Sequence, residues 1–525
     1  MSSEAADETL SIIDAEVLQL RHRISDLLFQ RNSRSLISRL PIEVITTIFL
    51  YARDSRASWD QSKSVTTMKF SWVCQHWRYI SLGCPTLWTE IDFLHSGGVS
   101  EFLSRSQQSP LSLTHIDDNL LGDVMSQSHR IQALDFFRAS SDRSPRLDLQ
   151  NLWTKDTPCL RSLSLNGTQF PLHLLTHPPP LQRLKLQNCT FQWNLPLSST
   201  LTVLSIIKPS TTISLGCFLS KLAGLPALIR LKFDSILGNT PPPSGDLAHA
   251  NLSKLQELKA SEKTLAQLKT LVDHLSVSNN TLVYVMISES NGEAEHSDFI
   301  KSVHKCRSHT SPITFLHLME DPTSSMSILD FSEQPPGSDK GLIPTTIRFA
   351  GFIDTAPVVT REVINYLDLR SLQELEILQT PPWGHNHAIG FDGWPQIFGN
   401  LPNLRSLDVD EYAAYHLVQF FRDEAKEIKD SLAGRESEGV VPLPIELSFR
   451  MLREVTLTFP KPPVYEDDGG ESFQESRVDK ENIIYNLTRR FNEGIRLEYL
   501  AFSNWPIDGE TLKKLGDVVG TVEEC

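Results

Sequence analysis

Cysteine is scarce in this chain of 525 residues: there are seven, at 74, 84, 159, 189, 217, 306 and 525, and no two are spaced Cys-x-x-Cys. An odd, scattered set argues against a disulfide framework or a cysteine zinc site and reads as buried, reduced thiols. Long apolar runs are missing as well, since none reaches the roughly 18 uninterrupted residues of a membrane span. Basic charge is in deficit, with 49 Lys+Arg against 64 Asp+Glu and a net charge of −15, so nucleic acid and anionic membrane are not expected partners. The acidic start, MSSEAADETL, lacks the basic-then-apolar order of a secretory signal, and the expected location is cytoplasmic, nuclear or both. What is present is enough apolar material to fold, 40% hydrophobic and 8% aromatic.

Catalytic patterns are absent too. There is no Gly-x-Gly-x-x-Gly or P-loop to cradle phosphate, no His-Glu-x-x-His for zinc and no Gly-x-Ser-x-Gly elbow. His385-Asn386-His387 lies in a Gly- and Pro-rich stretch without a carboxylate partner, and Glu466-Asp467-Asp468 lacks the ligand spacing of a calcium loop. Cys74 and His76 are close in sequence, but Cys74 reads as a small buried hydrophobe on a helix. The chain therefore reads as non-catalytic, with no cofactor and no metal.

From Leu10 the apolar residues fall at Leu10, Ile13, Val17, Leu20, Ile24 and Leu27, in steps of three and four, which predicts an amphipathic helix. This seam is shorter than the three or four heptads that mark a coiled coil, so the helix is expected to pack on its own chain and leave the protein monomeric. A second helix is expected from Pro41, with Glu43 at its positive end and Ile42, Ile45, Ile48 and Phe49 on one face. A third is expected to run unbroken through MKFSWVCQHWRYISL, with Phe70, Val73, Trp77 and Ile80 as its stripe, and to end before Cys84-Pro85.

The order Leu40-Pro41-x-Glu43, Ile48-Phe49, Val73-Cys74-x-x-Trp77-Arg78 and Pro85-x-Leu87-Trp88 resembles the F-box, the three-helix module that inserts into the Skp-type adaptor of cullin-RING ubiquitin ligases. It is similar in particular to the large fungal, basidiomycete-type F-box group in which a short heptad helix precedes the box. The resemblance covers about Leu40 to Asp92 and implies a Skp-type adaptor and, through it, a cullin as partners. The set Leu40, Pro41, Ile42, Ile45, Phe49 and Trp77 is too apolar for so small a module to bury alone and is assigned to the adaptor, with Trp77 partly shared between that interface and the module core.

Beyond residue 100 the texture changes to apolar triplets of the form L-x-x-L-x-L. Their starts at 201, 228, 255 and 282 are evenly spaced by 27 residues, inside the range of about 20 to 29 for leucine-rich repeats. Prolines precede several of them, as in Pro158-Cys-Leu160, Pro226-Ala-Leu228 and Pro402-Asn-Leu404, where a strand entrance tolerates them. The series continues through Ile313-Leu316-Leu318 and Pro344-Ile347-Phe349 to Leu497-Leu500-Phe502. It resembles a divergent leucine-rich-repeat domain.

The expected fold class is α/β: an N-terminal heptad-patterned helix (1–35), a three-helix F-box (36–95), and an irregular leucine-rich-repeat-like solenoid with a curved parallel sheet (100–525), carrying insertions near 423–439 and 461–481. Alternate strand positions point away from the apolar face. They give Arg183, Lys185, Arg230 and Lys232 early and Glu374, Glu376, Asp408 and Asp410 late, with Tyr284, Met286 and Phe315 as apolar anchors between. The expected function is a substrate receptor of an SCF-type ubiquitin ligase holding a protein substrate on this face; the alternative is a repeat scaffold acting outside a ligase.

Overall fold

In the computed structural model, the residues described are 3–55, 62–92, 96–114, 121–137, 156–171, 173–193, 197–238, 247–278, 281–289, 313–321, 326–332, 345–350, 369–379, 401–411, 449–458, 480–492, 494–504 and 508–524, with single residues or pairs at 298–299, 302–303, 414, 417, 420–421, 424 and 426. His385, His387 and the insertion at 461–479 lie outside them, as does most of that at 423–439. The chain is α/β with an N-terminal helix and parallel sheet, and it divides into two compact units, Met1–Leu204 with Lys208–Thr211 and Ser205–Ile207 with Thr212–Cys525. No described helix is long and apolar enough to cross a membrane.

The first unit opens with helix α1 (Ser3–Ser33), followed by α2 (Ile42–Asp54), α3 (Lys63–Val73) and α4 (Gln75–Leu82). The single helix expected across residues 68–82 is two. Cys74 leaves the helical region at φ −160°, ψ 171°, and its Sγ accepts from Trp77 N at 3.5 Å, so it caps α4 rather than filling a core. Of the other described cysteines Cys189 is buried, but Cys159 and Cys217 are exposed rather than buried as expected. A 3-10 turn, Pro85–Trp88, then leads into strand β1 (Glu90–Asp92).

Strands β2 (Leu111–Thr114), β3 (Ile131–Phe137), β4 (Ser162–Asn166) and β5 (Arg183–Gln187) come next, each parallel to its predecessor. Within this unit the helices are tied to the chain that follows them. The Asp92 carboxylate takes Ser62 Oγ, Lys63 N and Ser64 N at the start of α3, and Trp88 meets Phe102 edge to face at 4.9 Å.

Strand β6 (Val203–Ile207) is shared between the units. The second unit holds β7 (Arg230–Asp234), β8 (Ala250–Leu252), β9 (Glu257–Thr264), β10 (Leu275–Val277), β11 (Leu282–Glu289), β12 (Phe315–Asp321), β13 (Met326–Ser332), β14 (Thr345–Ala350), β15 (Glu374–Gln379), β16 (Ser406–Glu411), β17 (Glu454–Thr458), β18 (Tyr499–Ser503) and β19 (Thr521–Glu524). β8 and β10 form a separate parallel pair. The larger sheet runs β7-β9-β11-β14-β13-β12-β15-β16-β17-β18-β19, and its pairings are parallel except those of β13, which is antiparallel to both neighbours. The triplets at 313 and 344 are thus not successive parallel neighbours: β14 lies on β11 and β12 on β15, with β13 between them.

In the triplets whose side chains are described, the second and third residues point inward. Leu163 and Leu165, Leu184 and Leu186, Leu231 and Phe233, Leu375 and Ile377, Leu407 and Val409, and Val455 and Leu457 are all buried. Strand ends recur in kind, because the residue after β4, β5, β6, β7 and β18 has positive φ: Gly167, Asn188, Lys208, Ser235 and Asn504. Such a residue turns the chain sharply out of the sheet, and asparagine and glycine accept it at least cost.

Candidate functional site

The helical module of residues 36–92 has a compact aromatic centre. Phe49 stacks on Phe70 with centroids 4.5 Å apart and planes 7° from parallel, and Trp77 closes on it at 4.8 Å. Ile45, Ile80, Leu87 and Trp88 are buried around this group. Trp88 Nε1 donates to Ser81 O at 2.7 Å, and the Arg105 guanidinium lies 4.3 Å from its ring centroid. Arg53, buried in α2, donates to Thr86 O at 2.9 Å and holds the turn Pro85–Trp88 against the helices. Its guanidinium also lowers the pKa of the neighbouring Asp54, whose carboxylate it bonds through Nε and Nη2.

This packing separates the residues assigned to the adaptor. Leu40, Pro41 and Ile42 are exposed, whereas Ile45 and Phe49 are core and Trp77 is half-buried against Phe49. Ile45 and Phe49 are therefore corrected from surface to interior: α2 carries two apolar stripes, and its partner helices cover the one at 45 and 49. The second stripe, Val44, Ile48 and Tyr51 in steps of four and three, remains at the surface and continues the patch of Leu40 and Ile42. Val44 and Tyr51 were missed because the sequence shows the two stripes without showing which one the module fills. Trp72, Val73 and Tyr79 are likewise exposed, at 66, 58 and 72%, so Val73 also leaves the predicted core stripe.

The strand residues form a second candidate surface. Arg183 and Lys185 are exposed on β5 in the first unit. In the second unit one line of paired positions crosses the whole sheet, Lys232-Lys259-Tyr284-Thr346-Asp330-His317-Glu376-Asp408-Thr456-Ala501-Glu523. It brings Lys232 and Tyr284 into register with Glu376 and Asp408. The adjacent line places Met286 and Asp410 together with Ser261, Arg348, Ile328, Met319 and Leu378. Phe315 pairs with Glu374 but is buried at 4% exposure, which removes it as an exposed anchor.

The basic end is also less basic than expected. Glu257 lies 3.5 Å from Arg230 and pairs with Lys259, so a carboxylate sits within that cluster. At the acidic end the Glu374 carboxyl is raised above its usual pKa, first by burial and then by Glu376 and Glu454. Crowded carboxylates of this kind favour a cationic partner.

Among the described residues, one group could hold a metal: Asp156, His173 and His177, whose ligand atoms lie within 4.8 Å of one another. Its signal in sequence is the i,i+4 histidine pair; His173 Nε2 is 3.1 Å from Asp156 Oδ1, and the two rings stack at 4.7 Å. A perturbed acid lies elsewhere. Glu262, 2% exposed, accepts Ile236 N at 2.8 Å and Leu237 N at 3.1 Å through Oε1, and burial raises its pKa to about 7. It ties β9 to the turn after β7, a structural task for a buried carboxyl.

No known family profile matches this chain, and no curated protein matches it.

Proposed function

We propose that the protein is the substrate receptor of an SCF-type, cullin-RING ubiquitin ligase. In this reading residues 40–88 are an F-box that seats a Skp-type adaptor and through it a cullin, and the strands beyond residue 100 form a leucine-rich-repeat-like solenoid that holds a protein substrate. The protein supplies proximity and orientation and performs no bond chemistry itself.

The observation that carries the reading is the patch Leu40, Ile42, Val44, Ile48 and Tyr51. These side chains stay exposed on a module whose neighbouring stripe is fully packed, and an apolar surface next to a satisfied core marks a partner site. Neighbour-to-neighbour parallel pairing, with one strand per triplet, supports the repeat reading of the rest. In this reading the substrate face includes Lys232, Tyr284, Glu376 and Asp408 on one paired line of the second unit, with half-buried Met286 and Glu374 on the lines beside it, and Arg183, Lys185 and Arg230 exposed on their strands.

The test is co-purification with a Skp-type adaptor and cullin. Ile48→Asp with Tyr51→Asp should reduce adaptor capture at least tenfold while circular dichroism stays unchanged, since both side chains are exposed. Undiminished capture by this variant would overturn the assignment. Adaptor capture without a cullin would favour a scaffold outside a ligase.

A further inference from the structure

Helix α1 is the least explained element of the molecule. All ten of its large apolar residues from Leu10 to Phe29 are between 38 and 63% exposed, so the docking on its own chain that its amphipathic pattern suggests does not occur along this face. The helix is hydrogen-bonded to the module through Ser25, whose Oγ accepts from Gln75 Nε2 at 2.8 Å. Ser25 is the residue after Ile24 and so lies about 100° round the helix from the seam. The seam Leu10, Ile13, Val17, Leu20, Ile24 and Leu27 faces solvent over about 26 Å of helix at 1.5 Å per residue.

Charge says what covers it. From Ser3 to Leu20 there are five acidic residues and no basic one, and from Arg21 to Arg34 there are four arginines against Asp26 alone. We propose that α1 pairs with α1 of a second copy of this chain in antiparallel orientation, forming a two-stranded coiled coil. Centred between Val17 and Leu20, the antiparallel register stacks Leu10 on Leu27, Ile13 on Ile24 and Val17 on Leu20 of the second copy, giving six apolar layers with no polar residue among them.

The flanking positions decide the direction. With the seam residues at a and d, Asp14 and Arg21 occupy e positions, and Glu16 and Arg23 occupy g positions. Antiparallel pairing sets e against e and g against g, which joins Asp14 to Arg21 and Glu16 to Arg23 on both sides, four attractive pairs in all. Parallel pairing sets g against the following e, which gives only the two Glu16–Arg21 pairs, and it places Arg31, the next a position, opposite its own copy. The antiparallel register instead places Arg31 opposite Ala6, within the acidic first turns.

This pairing does not depend on the F-box reading, and its test is sedimentation of the full chain at tens of micromolar. A dimer is expected for the native protein and a monomer for Val17→Glu with Leu20→Glu, which places charge in the middle of the seam. Arg23→Glu should raise the dissociation constant by about tenfold, because both Glu16 contacts become repulsive. Adding Glu16→Lys to Arg23→Glu should restore it. In a parallel pair Arg23 meets Leu28, so Arg23→Glu would be neutral and the double variant would weaken the dimer, because the introduced lysine would repel Arg21. That result would overturn the orientation, and a monomeric native protein, or a dimer that survives Val17→Glu with Leu20→Glu, would overturn the pairing.

Discussion

Replacing Glu262 with glutamine should make the second unit more stable, and more so as pH rises. The native carboxyl holds its proton until about pH 7, whereas an unfolded glutamate releases it near 4.5. Between those values the folded state binds more protons than the unfolded state, so stability falls as pH rises through the window. A displacement of this size corresponds to about 3 kcal/mol at roughly 1.4 kcal/mol per pH unit. Glutamine keeps Oε1 as acceptor for Ile236 N and Leu237 N and carries no charge to desolvate. At pH 4.5 the two proteins should melt within about a degree of each other. By about pH 7.5 Glu262→Gln should melt on the order of 5 °C higher by circular dichroism, given the size of the unit. Parallel pH profiles for the two proteins would show that Glu262 titrates normally and refute the reasoning. Equal destabilisation of the variant at both pH values would show that the two N–H groups require a carboxyl there.

In the helical module, Phe49→Ala should cost about 3–5 kcal/mol by removing the ring between Phe70 and Trp77, while Ile48→Ala should change stability by less than about 0.5 kcal/mol; urea titration compares them. Near the C-terminus Arg490 is 2% exposed and donates through Nη2 to Glu424 and through Nε to Asn486, both at 2.8 Å. Asn486 Nδ2 also donates to Glu424 at 2.8 Å, so Arg490→Met leaves the carboxylate one hydrogen bond but no cation and should cost about 3 kcal/mol, and Glu424→Leu added to it should recover part of the loss in the same titration.

What was legible in the sequence depended on how local the determining contacts are. The strand triplets could be read because inward and outward residues alternate within a single strand, and Leu375, Ile377, Leu407 and Val409 lie buried as the pattern indicates. The break at Cys74 was hidden because no proline or glycine announces it, and a thiol cap leaves little trace in a run of helix-compatible residues. On α2 the apolar positions were evident, but the choice between the stripe of Ile45 and Phe49 and that of Val44, Ile48 and Tyr51 is made by α3 and α4. Glu262 and the Arg490 cluster join residues distant in the chain, and neither sits in a motif.

The order β14-β13-β12 within the larger sheet was the least accessible feature, because β13 has the same alternation as the parallel strands around it. The reversal is compatible with the rest because it preserves side-chain parity. Across it the paired line Phe233-Ala260-Val285-Ile347-Leu329-Leu318-Ile377-Val409-Leu457-Phe502 stays apolar at every position. The neighbouring line from Lys232 through Thr346, Asp330 and His317 to Asp408 keeps polar residues or Tyr284. A slip of one residue at either junction of β13 would set Asp330 in the apolar line and Leu329 in the polar one, a mismatch the sheet would have to bury. The hydrophobic period therefore fixes the register of the antiparallel strand as firmly as that of its parallel neighbours. The same parity keeps Lys232 and Lys259 on one backbone line with Glu376 and Asp408 across the reversed strand.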